Sequence, residues 1–265
     1  MLPIKKIYID SRWKTVNSKS ETDFTIQLPQ NYHMPKNTVF FIDHVCIPVS
    51  WYSVQKLRNN KFYFLIGSST LQVIEIPENN YKADTLVAEL VKAINSVLAG
   101  SVTGTYDVDL NTITISLVNA GVNLIIPSDV ELLKTHGKSM PLDSINSVLR
   151  NYKTDASYSK TNAFRCDYLD LFPVRNLYIH SNSIGNHNTI SVSGECNIIK
   201  QVTVNASYNQ LIVDNQVLGS DYLDCSNQNL NLIDITLRDA FSNVIDLNGN
   251  HWSFNIIFSK VAEEN

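Results

Sequence analysis

The sequence predicts a mainly β protein, a sandwich or barrel interrupted by an α+β block, and three observations carry that reading. The first is the closing stretch LIDITLRDAFSNVIDLNGNHWSFNIIFS, residues 232–259. In it Ile233, Ile235 and Leu237 alternate with Asp234, Thr236 and Arg238, and Trp252, Phe254, Ile256 and Phe258 alternate with Ser253, Asn255, Ile257 and Ser259. Period-two alternation marks a half-buried strand, because successive side chains point to opposite faces. Asp239, Ser242, Asn243, Asn248, Gly249 and Asn250 supply turns between the runs, so the chain is expected to end in an antiparallel pair of strands. The second observation is a series of short apolar runs, spaced by turn residues, on both sides of the molecule's middle. The third is a middle segment that changes to the helical period.

The elements follow in order. Ile4–Ile9 reads as a strand ending in the polar Asp10-Ser11-Arg12, and Thr15–Thr22 as a polar loop. Phe24, Ile26 and Leu28 form a second strand. Pro29 is expected to end it, since proline cannot donate to a ladder. Val39–Pro48, carrying Phe41 and Val45, is a third and longer strand, and the chain turns out of it through Trp51 and Tyr52. Within residues 59–149, Phe62–Ile66 and Leu71–Ile76 read as a hairpin around Gly67-Ser68-Ser69. Asp84–Leu98 reads as an amphipathic helix, with Leu86, Leu90, Ala93, Ile94 and Val97 on one face and Gly100 as its left-handed cap. Tyr106 and Ile113–Leu117 flank a second hairpin turn. Ser128 and Glu131 have the spacing of a capping box ahead of a short helix. Beyond residue 150 the pattern is β again. The strands are expected at Leu177–Ile179, Ile190–Val192, Asn197–Val204 and Leu211–Val213, with turns at Gly185, Asn186, Gly194, Asn209 and Gly219. Residues 1–58 and 150–265 are therefore assigned to one discontinuous β-sandwich, and 59–149 to an inserted α+β domain.

Composition narrows the function. The chain has 265 residues, enough to bury a sizeable core without a disulfide or metal. Its net charge of −4 shows no basic patch for direct nucleic-acid binding. The four cysteines, Cys46, Cys166, Cys196 and Cys225, are widely spaced and read as free thiols in a reducing compartment. The opening MLPIKKIYIDSRWK lacks the sustained apolar region of a secretory leader, and no apolar run reaches membrane-spanning length. Asn205-Ala206-Ser207 is a formal glycosylation sequon, and with no secretory leader expected it is read as a chance match.

Chemistry is hard to find. Catalysis needs an activated nucleophile, a tuned acid–base pair or a metal. None of His33, His44, His136, His180, His187 and His251 lies in a metal-binding motif. His44 and Cys46 share a strand face but read as ordinary sheet residues. Asp107-Val108-Asp109-Leu110-Asn111 begins like a calcium loop, but Thr112 stands where the loop needs glycine and Val118 where it needs glutamate. The expectation is a protein that is not an enzyme and uses no cofactor or metal. Trp252 follows the core alternation. Trp13 and Trp51 stand outside it and are candidates for a rim, an interface or a carbohydrate-stacking platform, with a place in the core as the open alternative.

The ordered blocks IYIDSRWKT, FTIQLP, VFFIDHVCIPVSWYSV, IPENNYKADTLVAEL, YLDLFPVRNLYIHS, NIIKQVTV and ITLRDAFSNVIDLNGNHWSFNIIF span nearly the whole chain. Together they resemble the penton (minor capsid) proteins of Maverick/Polinton elements and of related adinto-type viruses and virophages. That resemblance implies a single jelly-roll β-sandwich with a domain inserted between its strands. It also implies a homopentamer capping an icosahedral vertex among double jelly-roll major capsid proteins, located in the virion and made in the host cytoplasm or nucleus. Arginine and aromatic residues dominate interface energetics, so the candidate assembly residues are Arg12, Trp13, Trp51, Tyr52, Arg165 and Arg175. The alternative is a β-sandwich attachment module that binds a host receptor or glycan through exposed aromatics.

Overall fold

The structure is a computed structural model that describes residues 3–66, 70–98, 101–118, 124–150, 158–160, 163–185, 189–191 and 194–261. The chain divides into two compact units, Met1–Trp51 with Val174–Asn265, and Tyr52–Pro173. Each has its own buried apolar core.

The first unit is built on strands β1 (Pro3–Asp10), β2 (Asp23–His33), β3 (Thr38–Pro48), β4 (Asn176–His180), β5 (Ile198–Thr203), β6 (Leu211–Asp214), β7 (Asn229–Arg238) and β8 (Ser253–Lys260). Sheet one runs β1-β8-β3-β6, with the short strand Leu223–Asp224 also paired to β3. Sheet two runs β5-β4-β7-β2. All of these ladders are antiparallel, and they join β1 to β8, β2 to β7, β3 to β6 and β4 to β5. First pairs with last, second with second-to-last, and so inward. That nesting results when one long antiparallel hairpin is rolled over on itself, and it defines a single jelly roll. The excursion into the second unit falls between β3 and β4.

Alternating residues of both sheets fill the core. Phe40, Ile42, Val45 and Ile47 of β3 face Leu177, Ile179, Ile233, Ile235 and Leu237 of sheet two, all buried. Trp252 lies edge-on to Phe24, with centroids 5.9 Å apart, and stacks on Phe254 at 5.0 Å. Its indole N–H donates to the Glu21 carbonyl at 2.8 Å, which satisfies the one polar atom of a buried ring.

Two local expectations are corrected. The closing runs do not pair with each other: β7 lies in sheet two and β8 in sheet one. Each alternates because one of its faces meets the same core, and alternation does not specify the sheet. Pro29 does not end β2, which continues to His33. In the ladder Leu232 is opposite Gln27 but Leu230 is opposite Tyr32, so Pro29 sits in an irregular stretch of an edge strand where no ladder donor is required.

In the second unit, Lys61–Ile66 and Gln72–Glu75 form the expected antiparallel pair, and the sheet continues through Leu124–Ile126 to Tyr158–Lys160. A second sheet contains Val102–Asp107, Thr112–Leu117 and Ala163–Arg165. Helix α1 (Ala83–Leu98) buries Leu86, Val87, Leu90 and Ile94, whereas Val97 is half exposed. Helix α2 (Asp129–Lys134) carries the capping box: Ser128 accepts from the Glu131 amide, and Glu131 accepts from the Ser128 amide. The Asp107 carboxylate accepts from the Asp109 and Leu110 amides, making the turn of the second hairpin. Gly67-Ser68-Ser69, Gly100, Asn186, His187 and Val192 lie outside the described residues.

The unit boundaries differ from those expected at 58/59 and 149/150. Val54 belongs to the second core, as do Phe164, Cys166 and Leu169, because Ala163–Arg165 pairs with Thr114–Ser116. One close approach governs the packing of α1. A Cβ on Gly104 would lie 2.6 Å from Val91 Cγ2 and 2.8 Å from Val87 Cγ1. Both valines sit on the helix, where β-branching leaves one strongly preferred rotamer, so neither can swing away cheaply. Gly104→Val is expected to destabilise the second unit by about 1–3 kcal/mol, read from urea denaturation followed by far-UV circular dichroism.

Candidate functional site

In the jelly roll the connections β1–β2, β3–β4, β5–β6 and β7–β8 emerge at one end, because successive strands run in opposite directions. Hydrogen bonds tie these connections together. Ser11 N–H donates to the Trp252 carbonyl at 3.0 Å, Ser50 Oγ to the Leu247 carbonyl at 2.7 Å, Asn209 N–H to the Val49 carbonyl at 2.8 Å, and Val204 N–H to the Arg175 carbonyl at 2.9 Å. The chain leaves the first unit at Trp51 and re-enters it at Val174, both at this end.

One projection at this end is the turn after β1. Residues Ser11–Trp13 form one 3-10 turn capped by Asp10, whose carboxylate accepts from the Arg12 amide at 2.9 Å. The same carboxylate takes a fork from the Arg12 guanidinium, at 2.9 Å from Nε and 2.6 Å from Nη2. Ser11 is fully buried, and its hydroxyl accepts from the Trp252 amide at 3.2 Å. Lys14 and His251 both reach Glu21, the histidine at 3.1 Å. The turn is thus clasped from both sides while Trp13 stays 62% exposed and Val16 almost wholly so. An exposed indole on a pre-ordered turn loses little entropy on binding, which is what an interface anchor requires.

The sequence candidates divide. Arg12 and Trp13 sit together on this turn. Arg175 is exposed at the start of β4, at the same end of the sandwich. Tyr52 and Arg165 belong to the second unit. Tyr52 is half-buried there, and Arg165 is exposed with its Nε 3.2 Å from Thr112 Oγ1. As an assembly candidate Trp51 is corrected: it is 6% exposed and belongs to the sandwich core, the alternative left open for it. Trp51 lies past the end of β3, and its burial is set by the path of the chain there, not by strand alternation. Residues the sequence reading passed over are Phe241, 63% exposed in the β7–β8 connection, and Tyr208 in the β5–β6 connection. The available signal was a large aromatic inside a turn-rich loop. Asp239 builds the Phe241 turn by accepting from the Phe241 and Asn243 amides at 2.8 and 2.9 Å.

Electrostatics stiffen the Trp13 turn. The hydrogen bonds from Arg12 hold the Asp10 carboxyl below its usual range against the opposing effect of burial. Burial pushes Glu21 up, but bonds from Lys14 and His251 outweigh it and the net shift is downward. Among the described residues, no group of three or more His, Cys, Asp or Glu side chains could hold a metal ion, and no helix is long and apolar enough to cross a membrane. Cys46, Cys166 and Cys225 are free thiols.

No protein-family model matches the chain, and no curated protein matches it in sequence. Among solved structures it is similar to the crystal structure of the mavirus penton protein, with a TM-score of 0.55 and 9% identity over 97% of this chain and 100% of that one. The fold is therefore penton-like over 97% of the chain, at an identity where the likeness concerns the fold alone.

Two outcomes are expected. Trp51→Ala should cost the first unit about 3–5 kcal/mol in urea denaturation, as a core truncation and not as an interface change. A carboxylate whose folded pKa is depressed stabilises fully above its unfolded value and loses that contribution as pH falls through the folded one. The clasp on Trp13 should therefore hold at neutral pH and loosen below about pH 4, seen as loss of hydrogen-exchange protection in residues 11–22.

Proposed function

We propose that this chain is the vertex (penton) subunit of an icosahedral, virus-like capsid. In this reading five copies form a ring that seats among double jelly-roll major capsid proteins. The single observation that carries the proposal is the nested jelly roll with its folded excursion between β3 and β4, in a chain similar over 97% of its length to a viral penton protein. The resemblance carried by the ordered sequence blocks supports a source among Maverick/Polinton elements and related viruses. The protein works by shape: it turns over no substrate, needs no cofactor and makes no direct contact with nucleic acid. Its location is the capsid vertex, after synthesis in the host cytoplasm or nucleus.

A cyclic ring uses a heterologous interface, in which one side of each subunit meets a different side of the next. Obligate interfaces commonly bury roughly 2,000 Å² or more around an apolar centre. The clasped turn with Arg12 and Trp13, together with Arg175, Tyr52 and Arg165, supplies the residue types that anchor such contacts.

Light scattering on the purified chain at neutral pH tests the reading. A species of five subunits is expected. Trp13→Ala should weaken its association at least tenfold while leaving the melting temperature of the dissociated subunit unchanged. A chain that stays monomeric at high concentration, and also fails to join capsids when produced with its major capsid protein, would sink the proposal.

A further inference from the structure

Two basic side chains of sheet two are withdrawn from solvent, and their surroundings differ. Lys200 is opposite Ile179 in the β4–β5 ladder and points inward on the open side of the sandwich, where the edge strands β5 and β6 end the two sheets. Its ammonium is compensated, 3.1 Å from Asp221 and 3.7 Å from Asp214. His180 is half-buried, and its ring makes no hydrogen bond to any described residue.

The ladders fix where His180 points. Leu177 and Ile179 of β4 are buried in the core, so Tyr178 and His180 lie on the outer face of sheet two. In the ladder with β7, Arg238 is opposite Tyr178 and Thr236 is opposite His180, which puts Arg238 on the same face and diagonal to His180. Ile198 of β5 is opposite His180 on the other side. Tyr178, His180 and Ile198 line a cleft of about 530 Å³, together with Ile190, Asp239 and Ser242. Asp239 and Ser242 belong to the β7–β8 connection, and Arg238 ties that connection down: its guanidinium donates to the Ser242 carbonyl at 2.7 Å. Ser242 has a φ of 65°, a left-handed conformation that a residue other than glycine keeps only when its surroundings enforce it. Between them Phe241 is held out in solvent.

Among the described residues of the cleft, the titratable or charged groups are Tyr178 on the same strand, Arg238 from β7 and Asp239 from the connection. β5 and residues 189–191 contribute the isoleucines Ile198 and Ile190. The Asp239 carboxylate is committed to its own turn, accepting from the Phe241 and Asn243 amides and from Asn243 Nδ2 at 3.0 Å. Burial and the Arg238 charge oppose a proton on the His180 ring and hold its pKa down to about 4. We infer that His180 is an acid sensor: its protonation sets a second cation beside Arg238, breaks the Arg238 bond to the Ser242 carbonyl and frees the β7–β8 connection that displays Phe241. In the open form the ring regains its ordinary value of about 6.5. A histidine whose pKa is depressed in the closed form costs that form stability as pH falls from the open value to the closed one. The window therefore lies between about pH 6.5 and pH 4, above the range in which the Trp13 clasp loosens. Uptake of one proton makes opening roughly fiftyfold easier at pH 4.5 than at pH 7. The device belongs to the folded subunit and does not depend on the vertex reading.

Amide hydrogen exchange on the full chain, corrected for the intrinsic rate at each pH, tests it. Protection in residues 239–245 should fall roughly fiftyfold from pH 7 to pH 4.5, while residues 11–22 keep theirs. His180→Gln, which cannot take the proton, should hold the protection of residues 239–245 constant over the same range. Direct NMR titration of the His180 ring in the unmodified chain should place it near 4, and Arg238→Gln should move it upward. A connection that stays protected down to pH 4.5, a His180→Gln chain that loses protection as the unmodified one does, or a ring that titrates near its ordinary value would each overturn the assignment.

Discussion

The architecture rests on the long-range ladders made by β7 and β8. In sheet one β8 lies between β1 and β3, which do not touch each other, and in sheet two β7 is the hydrogen-bonded neighbour of β2. The strands of the first 51 residues therefore form no sheet among themselves. Their backbone groups find partners only when the last part of the chain arrives, and unpaired buried backbone groups are not tolerated. Two stretches of chain separated by more than a hundred residues thus share one hydrophobic core. Such non-local pairing makes folding slow relative to helical proteins of similar size.

That constraint explains why an excursion as large as Tyr52–Pro173 is compatible with the fold. The entropy of closing a loop grows only with the logarithm of its length. The excursion also carries its own core around Phe62, Phe64, Leu90 and Ile115, so it is a folded body and not a long flexible loop. The β3–β4 connection is where the rolled hairpin tolerates it, because both strands are held by other partners.

The ends and sides of the jelly roll carry different chemistry. At one end, hydrogen-bonded connections hold aromatic side chains in solvent, with Trp13 on the turn anchored by Trp252, the residue just before β8. On the open side, an inward lysine keeps the edge strand β5 from presenting an uninterrupted apolar face. Inward charges are one way sheets avoid edge-to-edge association. At the first of these places the buried polar Ser11 bonds Trp252 and so holds the turn from which Trp13 faces outward.

Much of this was legible from residue patterns. The alternation in 233–238 and 252–258, the helix at 84–98, the capping box at Ser128 and the Asp107 turn are dictated by local chemistry: side-chain period, capping hydrogen bonds and turn propensity act over a few residues. Burial of Trp252 followed from the same alternation. Burial of Trp51 did not, because it lies past the end of its strand and depends on where the chain bends. The sheet to which each strand belongs, the passage of β2 through Pro29 and the membership of Phe164 and Leu169 in the second core were decided by tertiary structure alone. The meeting of Lys200 with Asp214 and Asp221 belongs with them. Each of these depends on which distant backbone a strand pairs with, and an alternating sequence satisfies its own burial equally well against any partner that offers an apolar face.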